Sequence, residues 1–436
     1  MTRILQGFLI SSVMAGSAMA GGFSLGLENY IADKGLDENV SVILTMSEQA
    51  NVAEMDRYFE EQQSPLAERH YQIVTALQET ASRSQAKLLL ELEGLRSSGK
   101  VFGWTSHWLT NCIVVNSSVQ VLRDLASRSD VEIAEVNPEF ELIEPFVTPV
   151  KPGTPHEEDS GIRVVEAGVQ AVRATEVWST LGIDGSGALV GVLDTGVDGT
   201  HAALSSRYRG NNGHPDSECW IDAAGLGDST PVDQHYHGTH VMGTICGGAP
   251  GLEIGVAPGA EWIASNVINM GTGTAFDNAV ISSLEFMADP DGNAGTIDDV
   301  PDVVQNSWGV NENFSGYVDC DTRWWSAIDN CEASGVCLTW SAGNEGSGSG
   351  TMRSPADRAD SPYNCFSVGS TLESAPYDIS SFSSRGPSGC GGAYTTKPEI
   401  CAPGSDIYSA EPGGGYQNLS GTSMAGPHIA EIGRAS

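Results

Sequence analysis

The sequence is poor in basic residues and lacks long hydrophobic runs. Its 436 residues include 21 lysines and arginines against 56 aspartates and glutamates, which gives a formal net charge of −35. A chain with so few cations cannot neutralise the phosphates of a nucleic acid, so we expect no nucleic-acid partner. No run of about 18 apolar residues is present, so we expect no membrane span. An apolar fraction of 40% nevertheless indicates a globular protein.

Closely spaced cysteine pairs are missing as well. Zinc sites commonly use C-x₂-C pairs, and none of the nine cysteines forms one. One cysteine, Cys112, lies well before the others. The remaining eight all lie in the second part of the chain: Cys219, Cys246, Cys320, Cys331, Cys337, Cys365, Cys390 and Cys401. An even set in an exported protein predicts disulfides, whose pairing the sequence leaves open.

The first twenty residues are typical of a secretory signal. Arg3 supplies the positive end, residues 4–14 form a short apolar stretch, and Ala18-Met19-Ala20 resembles a cleavage site. The apolar stretch is too short to cross a bilayer. We therefore expect a protein that is secreted, either to the periplasm or to the extracellular space.

Residues 21–145 have the pattern of a small α+β module. Strands are predicted at 40–46, 104–115 and 131–136, a charged helical region at 52–98 that breaks near Pro65, and a short helix at 119–127. This order suits helices on one face of an antiparallel sheet. Residues 146–160 are rich in proline and acidic residues, which predicts a linker with a processing site.

The remaining residues, 161–436, predict an α/β domain with a parallel sheet. Short apolar runs alternate with helical patterns, as expected for strands buried on both faces. These runs occupy residues 188–193, 262–268, 300–305, 335–340 and 365–368.

Three motifs in this domain carry residues suited to nucleophilic catalysis. Asp194 follows the first apolar run, His237 begins His-Gly-Thr-His, and Ser423 lies in Gly-Thr-Ser-Met-Ala-Gly-Pro. An aspartate that orients a histidine, which in turn activates a serine, is the serine triad. Their order along the chain matches the subtilisin arrangement rather than that of α/β-hydrolases.

Each motif also has a purely structural interpretation. Asp194 could cap a turn, Ser423 could cap a helix, and Asn344, between two glycines, could only form a turn. Asn344 could instead donate its amide to an oxyanion together with the Ser423 backbone N–H. His240 is interpreted as structural, because a zinc peptidase would need His-Glu-x-x-His. Together the motifs favour catalysis.

The three motifs, together with residues 341–346, resemble the signature motifs of the subtilisin-like (S8) serine peptidases. The segment Asn306-Ser307-Trp308-Gly309 resembles the substrate-binding segment of that family, in a form similar to the bacillopeptidase F branch. The resemblance implies an endopeptidase acting on polypeptides through an acyl-enzyme, with Ser307, Trp308 and Gly309 pairing with extended substrate. It also implies that residues 21–145 are a ferredoxin-like inhibitory propeptide, which would be the chain's own partner before autocatalytic removal. No cofactor is expected for catalysis.

A structural calcium site is a further hypothesis. Asp289, Asp291 and Asn293 place oxygen ligands at alternating positions, as calcium loops do, although the EF-hand pattern is not met. A solvated acidic turn is the alternative interpretation.

The chain ends at Ser436, soon after Ser423, where the family continues with a long helix. We therefore expect a C-terminally incomplete domain. The alternatives to an active endopeptidase are a catalytically impaired pseudoenzyme and a binding protein whose N-terminal module inhibits peptidases.

Overall fold

The computed structural model describes residues 22–137, 146–148, 164–268, 276–312, 317 and 319–430. The predicted secretory signal and most of the predicted linker lie outside these residues. Within them, no helix combines the length and apolar character needed to cross a membrane.

The N-terminal module is a five-stranded sheet covered by helices. Its elements, in chain order, are β1 (Gly22–Phe23), α1 (Leu25–Ile31), β2 (Asn39–Met46), α2 (Val52–Gln62), α3 (Leu66–Ser97), β3 (Val101–His107), β4 (Cys112–Ser118), α4 (Val119–Ala126) and β5 (Val131–Val136). The strand order is β1-β5-β2-β4-β3, with β2 antiparallel to both β4 and β5. Alternate residues of β2 are buried, as the period of a half-covered strand requires.

The predicted strand at 104–115 is wrong in one respect. It is two antiparallel strands, β3 and β4, separated by a turn at residues 108–111. Asn111 adopts φ of 44°, a conformation that asparagine tolerates better than most residues. The helix break is where it was predicted, because Pro65 precedes α3 as its N-cap residue.

A seven-stranded parallel sheet is the centre of the second domain. Its strands are β8 (Leu189–Asp194), β9 (Trp220–Ile221), β12 (Glu261–Asn266), β13 (Val303–Asn306), β14 (Cys337–Ser341), β15 (Phe366–Thr371) and β16 (Ile400–Pro403). Their order is β16-β15-β14-β13-β8-β12-β9, and every pairing is parallel. The predicted fold class is confirmed. The sequence patterns did not predict the edge strands β9 and β16, which are short.

Helices and two small sheets surround the parallel sheet. The helices are α5 (Ala167–Ala171), α6 (Ala174–Leu181), α7 (His237–Cys246), α8 (Phe276–Ala288), α9 (Trp325–Ser334), α10 (Thr422–Ala425) and α11 (Pro427–Ala430). One small sheet has the order β10-β11-β7, formed by Gly248–Ala249, Leu252–Glu253 and Val164–Val165. The other has the order β17-β18-β6, formed by Ile407–Glu411, Gly415–Ser420 and Phe146–Thr148.

The module packs on the helices of the second domain. Side chains of α2 and α3, including Phe59, Ile73 and Leu77, join the same buried apolar cluster as the parallel sheet. At the C-terminal end of α9, Arg69 Nε donates to the Ala333 carbonyl at 2.8 Å, where a cation complements the negative end of the helix. The interface is therefore both apolar and specifically hydrogen-bonded.

Candidate active site

Asp194 and His237 form a buried pair at the carboxyl edge of the parallel sheet. Asp194 is the last residue of β8 and His237 the first of α7. The His237 Nδ1 lies 2.7 Å from Asp194 Oδ1, and both side chains are fully buried. Because an ionised carboxylate only accepts hydrogen bonds, Nδ1 is the protonated nitrogen in this contact. The aspartate thus selects the tautomer that leaves Nε2 as the basic nitrogen.

A second buried aspartate ties the two elements together. Asp233 Oδ1 accepts from Thr195 Oγ1 at 3.0 Å, and its Oδ2 accepts from the Thr239 hydroxyl at 2.6 Å and the Thr239 N–H at 2.9 Å. Thr195 follows Asp194, and Thr239 follows His237 by two residues. Burial raises the pKa of Asp233, although these hydrogen bonds oppose the rise. Asp233 therefore holds the end of β8 against the start of α7.

Close backbone contact explains the glycine after His237. A Cβ at Gly238 would lie 2.0 Å from the Gly196 carbonyl oxygen and 3.1 Å from Asp194 Cβ. Only glycine lets α7 approach β8 this closely. The short Asp194–His237 distance depends on that approach.

Ser423 lies at the start of the short helix α10, which packs against α7. Its Oγ is 3.4 Å from the Ser307 carbonyl oxygen, and Ser307 Oγ is 3.3 Å from the Ser423 carbonyl oxygen. Ser307 directly follows β13, which pairs with β8 so that Asn306 lies beside Leu193. The sheet therefore brings Ser423, His237 and Asp194 to one edge.

Asn344 is joined to the residue before Ser423. Its Oδ1 accepts from the Thr422 N–H at 2.9 Å and from Thr422 Oγ1 at 3.0 Å. These two contacts use the amide oxygen and leave the Nδ2 hydrogens as donors. A Cβ at Gly421 would lie 3.3 Å from that Nδ2, so the amide group lies next to the turn that carries the serine.

Within the predicted substrate segment, Trp308 has a buried side chain. Its indole makes edge contacts with Trp324 and Trp340, at centroid distances of 5.2 and 4.9 Å. Only the backbone of Trp308 is therefore suited to pairing with a peptide. Ser307 and Gly309, on either side, are also buried or close to other backbone atoms.

Two further histidines near the site are buried. His240 Nε2 lies 3.1 Å from the Ile407 carbonyl oxygen, and burial lowers the pKa of His240 to about 3. His428 Nδ1 contacts the Met424 carbonyl oxygen at 2.9 Å, and burial lowers the pKa of His428 to about 4. Both are neutral at physiological pH and hold helices to strands or to their own turns.

The residues of the predicted calcium site lie just after α8. Asp289 accepts a hydrogen bond from Gln78 of the module at 2.7 Å, and Asp291 accepts from the Asn293 N–H at 2.7 Å. Among the described residues, the one group of three close side chains of metal-ligand type is elsewhere, at Cys320, Asp357 and Cys390, and its two cysteines are joined in a disulfide. Calcium binding by Asp289, Asp291 and Asn293 stays a prediction.

One disulfide forms among the nine cysteines, between Cys320 and Cys390. The other six of the predicted even set are free: Cys219, Cys246, Cys331, Cys337, Cys365 and Cys401. Cys112 is also free, and it is buried. Most of the free thiols are buried, and a buried free cysteine packs as a small apolar side chain.

Sequence reasoning missed two residues that support the site. Asp233 could have been found, because it lies four residues before His237 in a polar stretch. Arg353 had no such signal. Its side chain pairs with Glu345, next to Asn344, only because the fold brings residues 345 and 353 together.

This fold and site define a class: a parallel α/β domain with an aspartate, a histidine and a serine in the order of the subtilisin-type serine peptidases. A model of the Peptidase S8, or subtilase, family matches residues 185–433, and the chain belongs to this family.

Individual relatives agree with this assignment. The chain is 33% identical over 375 residues to bacillopeptidase F of Bacillus subtilis, covering 83% of this chain but 25% of that protein. It is 28% identical to the major intracellular serine protease of the same organism, covering 68% of this chain and 79% of that protein. It is 30% identical to subtilisin DY of Bacillus licheniformis, covering 62% and 82% respectively. The chain thus spans a quarter of bacillopeptidase F.

Proposed function

We propose that this chain is a serine endopeptidase that hydrolyses polypeptides through Asp194, His237 and Ser423. The observation that carries the proposal is the fully buried contact between Asp194 and His237 at 2.7 Å, with Ser423 on a helix packed against the helix of His237. Membership of the subtilase family supports it.

The reaction follows from the roles of these groups. His237 Nε2 takes the Ser423 hydroxyl proton as the serine oxygen attacks the peptide carbonyl carbon. The resulting imidazolium is stabilised by the Asp194 carboxylate, and its proton passes to the leaving amine when the C–N bond breaks. Water then attacks the acyl-enzyme with the same proton transfers, which releases the acid product and restores Ser423.

The oxyanion of each tetrahedral intermediate needs donors close to Ser423. The Ser423 backbone N–H lies in the first turn of α10, and Asn344 offers Nδ2 because its Oδ1 is held by Thr422. Donors fixed in a low-dielectric site stabilise charge that develops in the transition state. This supports Asn344 as the oxyanion donor.

We also propose that residues 21–145 act as an inhibitory propeptide and that the protein is exported. The buried apolar packing of α2 and α3 and the hydrogen bonds to α9 support a tight complex of the two parts. Export rests on the N-terminal sequence pattern. The family itself does not decide it, because one relative is named as intracellular.

Covalent labelling tests the nucleophile. The full chain is treated with a fluorophosphonate probe, and hydrolysis of an unstructured protein substrate is measured in parallel. We expect labelling and hydrolysis that both disappear in Ser423→Ala and persist in Ser349→Ala, which changes an exposed serine. A folded chain that stays unlabelled and inactive even after limited proteolysis has removed residues 21–145 would contradict the proposal and favour the pseudoenzyme alternative.

A further inference from the structure

Two neighbouring strands of the parallel sheet end beside the candidate nucleophile. Strands β13 and β14 are neighbours in register, with Asn306 beside Trp340. We call the segments that follow them, residues 307–310 and 342–345, the two walls, and the space between them the crevice. Ser307 contacts Ser423 at one wall, and Asn344 belongs to the other. Ligands of parallel sheets bind in such spaces at the carboxyl ends of the strands.

Residues 353 and 354 close the crevice. The Arg353 N–H donates to the Ala342 carbonyl at 3.2 Å, which joins residue 353 to one wall. The Ser354 N–H donates to the Val310 carbonyl at 3.0 Å, and the Val310 N–H donates back at 2.9 Å, which joins residue 354 to the other. Arg353 and Ser354 therefore form its floor.

The side chain of Arg353 occupies the space between the walls. A Cβ at Gly309 would lie 3.1 Å from Arg353 Cβ, and a Cβ at Gly343 would lie 2.9 Å from Arg353 Cγ. The arginine stem is thus in contact with a glycine on each wall. Because neither wall carries a side chain at these points, the stem fits where it otherwise could not.

The guanidinium group is neutralised by Glu345. Arg353 Nε donates to Glu345 Oε2 at 2.7 Å, and Nη2 contacts the other carboxylate oxygen. Nη1 lies 3.4 Å from the Gly309 carbonyl oxygen, and Arg353 is only 6% exposed. Ser384 Oγ donates to Glu345 Oε2 at 3.2 Å and holds the carboxylate in place. A two-point arginine–carboxylate pair of this kind is strong and directional.

We propose that the Arg353–Glu345 pair determines substrate specificity, restricting the residue on the N-terminal side of the cleaved bond to a small, uncharged side chain. This rests on the proposed function. When the carbonyl carbon is at Ser423 Oγ and its oxygen faces Asn344, the side chain of that residue points between the two walls. The arginine stem already fills this space. A large apolar side chain would have to displace a paired arginine, and a charged one would be buried without a partner.

Matched substrates and variants test this proposal. Three peptides differ only at that residue, which is Ala, Phe or Glu, and kcat/KM is measured with the full chain. Arg353→Ala empties the crevice, and we expect the Phe:Ala ratio of kcat/KM to rise about 10-fold or more, since pocket contacts of a few methylenes discriminate on this scale. Arg353→Met keeps a stem of similar length without charge, and the Phe:Ala ratio should stay near the wild-type value.

A second variant tests whether Glu345 neutralises the charge of the Arg353 guanidinium. Glu345→Gln leaves the guanidinium without its counter-charge, and we expect the Glu:Ala ratio to rise about 10-fold or more. The matched control is Arg358→Ala, which removes another buried arginine, paired with Asp329 and Asp360. Neither the Phe:Ala ratio nor the Glu:Ala ratio of kcat/KM should change in this control.

The failures of the two proposals are distinguishable. Cleavage by the wild type with unchanged ratios in Arg353→Ala and Glu345→Gln overturns this inference and leaves the proposed function standing. Equal shifts in Arg358→Ala also overturn it, because they indicate general loosening. A chain that cleaves none of the three peptides and is not labelled at Ser423 overturns both.

Discussion

At the scale of single residues, the site depends on side chains whose different atoms have different roles. Asn344 is the clearest case, since its Oδ1 holds Thr422 while its Nδ2 remains a donor. The two halves of one amide therefore carry separate roles, structural and electrostatic, and one substitution can separate them.

Asn344→Asp should remove the donor and keep the acceptor for Thr422. We expect kcat to fall by about 10²–10³-fold with KM nearly unchanged, which is the usual effect of losing one oxyanion donor. Steady-state kinetics on a peptide substrate measures both parameters, and the thermal midpoint should stay close to that of the wild type. A rise in KM with kcat preserved would show that Asn344 binds the ground state instead.

Asp233→Asn tests the aspartate that holds β8 to α7. One of its two oxygens would become an amide that faces donors, so hydrogen bonds to Thr195 or Thr239 would be lost. We expect the free energy of unfolding to fall by about 1–3 kcal/mol, the cost of leaving buried donors unsatisfied. We also expect lower kcat, because His237 is held less firmly. Chemical denaturation is the measurement, and Asp228→Asn, which loses one contact to Gln234, is the control that should change neither.

At the scale of elements, the approach of α7 to the end of β8 decides the geometry of the pair. Strand β8 is buried along its whole length, and α7 begins where it ends. The hydrogen bonds alone do not set this distance, because α7 approaches the backbone just after β8 so closely that Gly238 has no room for a Cβ beside Gly196.

Gly238→Ala should therefore damage both stability and activity. The new Cβ would meet the Gly196 carbonyl oxygen at 2.0 Å, so α7 must move away from β8. We expect a loss of about 1–3 kcal/mol in unfolding free energy, typical of overpacking, together with loss of hydrolysis. Gly94→Ala is the matched control, because this glycine of α3 has no atoms within 4 Å of the added Cβ, and helix propensity predicts a gain of up to about 1 kcal/mol. Equal effects of the two substitutions would contradict this explanation.

At the scale of the whole molecule, the module is joined to the second domain through a buried charge pair. His107 at the end of β3 has Nδ1 2.9 Å from Glu285 Oε2 and Nε2 3.0 Å from Asn278 Oδ1. Burial opposes the charged form of His107, but the carboxylate and the two hydrogen bonds outweigh it, and the pKa of His107 is raised. The interface therefore depends on pH.

The direction of this pH dependence follows from the raised pKa of His107. A raised histidine pKa contributes stability that is fully present below the ordinary value of about 6.5 and is lost as pH rises through the raised value. We expect His107→Gln to lower the thermal midpoint of the full chain strongly at pH 5, and the difference from the wild type to shrink at pH 8.5. Differential scanning calorimetry across this range measures it. His214→Gln is the control, and a difference that grows with pH would refute the assignment.

The sequence by itself determined the fold class and the elements that carry the candidate site. Short apolar runs that alternate with helical patterns are typical of strands buried on both faces, so a parallel sheet with Asp194 at a strand end could be predicted without coordinates. The motifs of His237 and Ser423 could likewise be found in the sequence, and both residues lie in the first turn of a helix. Local periodicity and turn chemistry suffice for such predictions because they involve neighbours in the chain.

Only the tertiary structure decided which distant residues meet. Asp233 contacts Thr195 across 38 positions, the stem of Arg353 lies between Gly309 and Gly343, and His107 meets Glu285 of the other domain. The spacing of the cysteines likewise did not predict that Cys320 pairs with Cys390 and that the other cysteines stay free. Such contacts depend on the order of the strands in the sheet and on the packing of the helices. Periodic patterns along the chain depend on neighbouring residues only, so they do not predict that order.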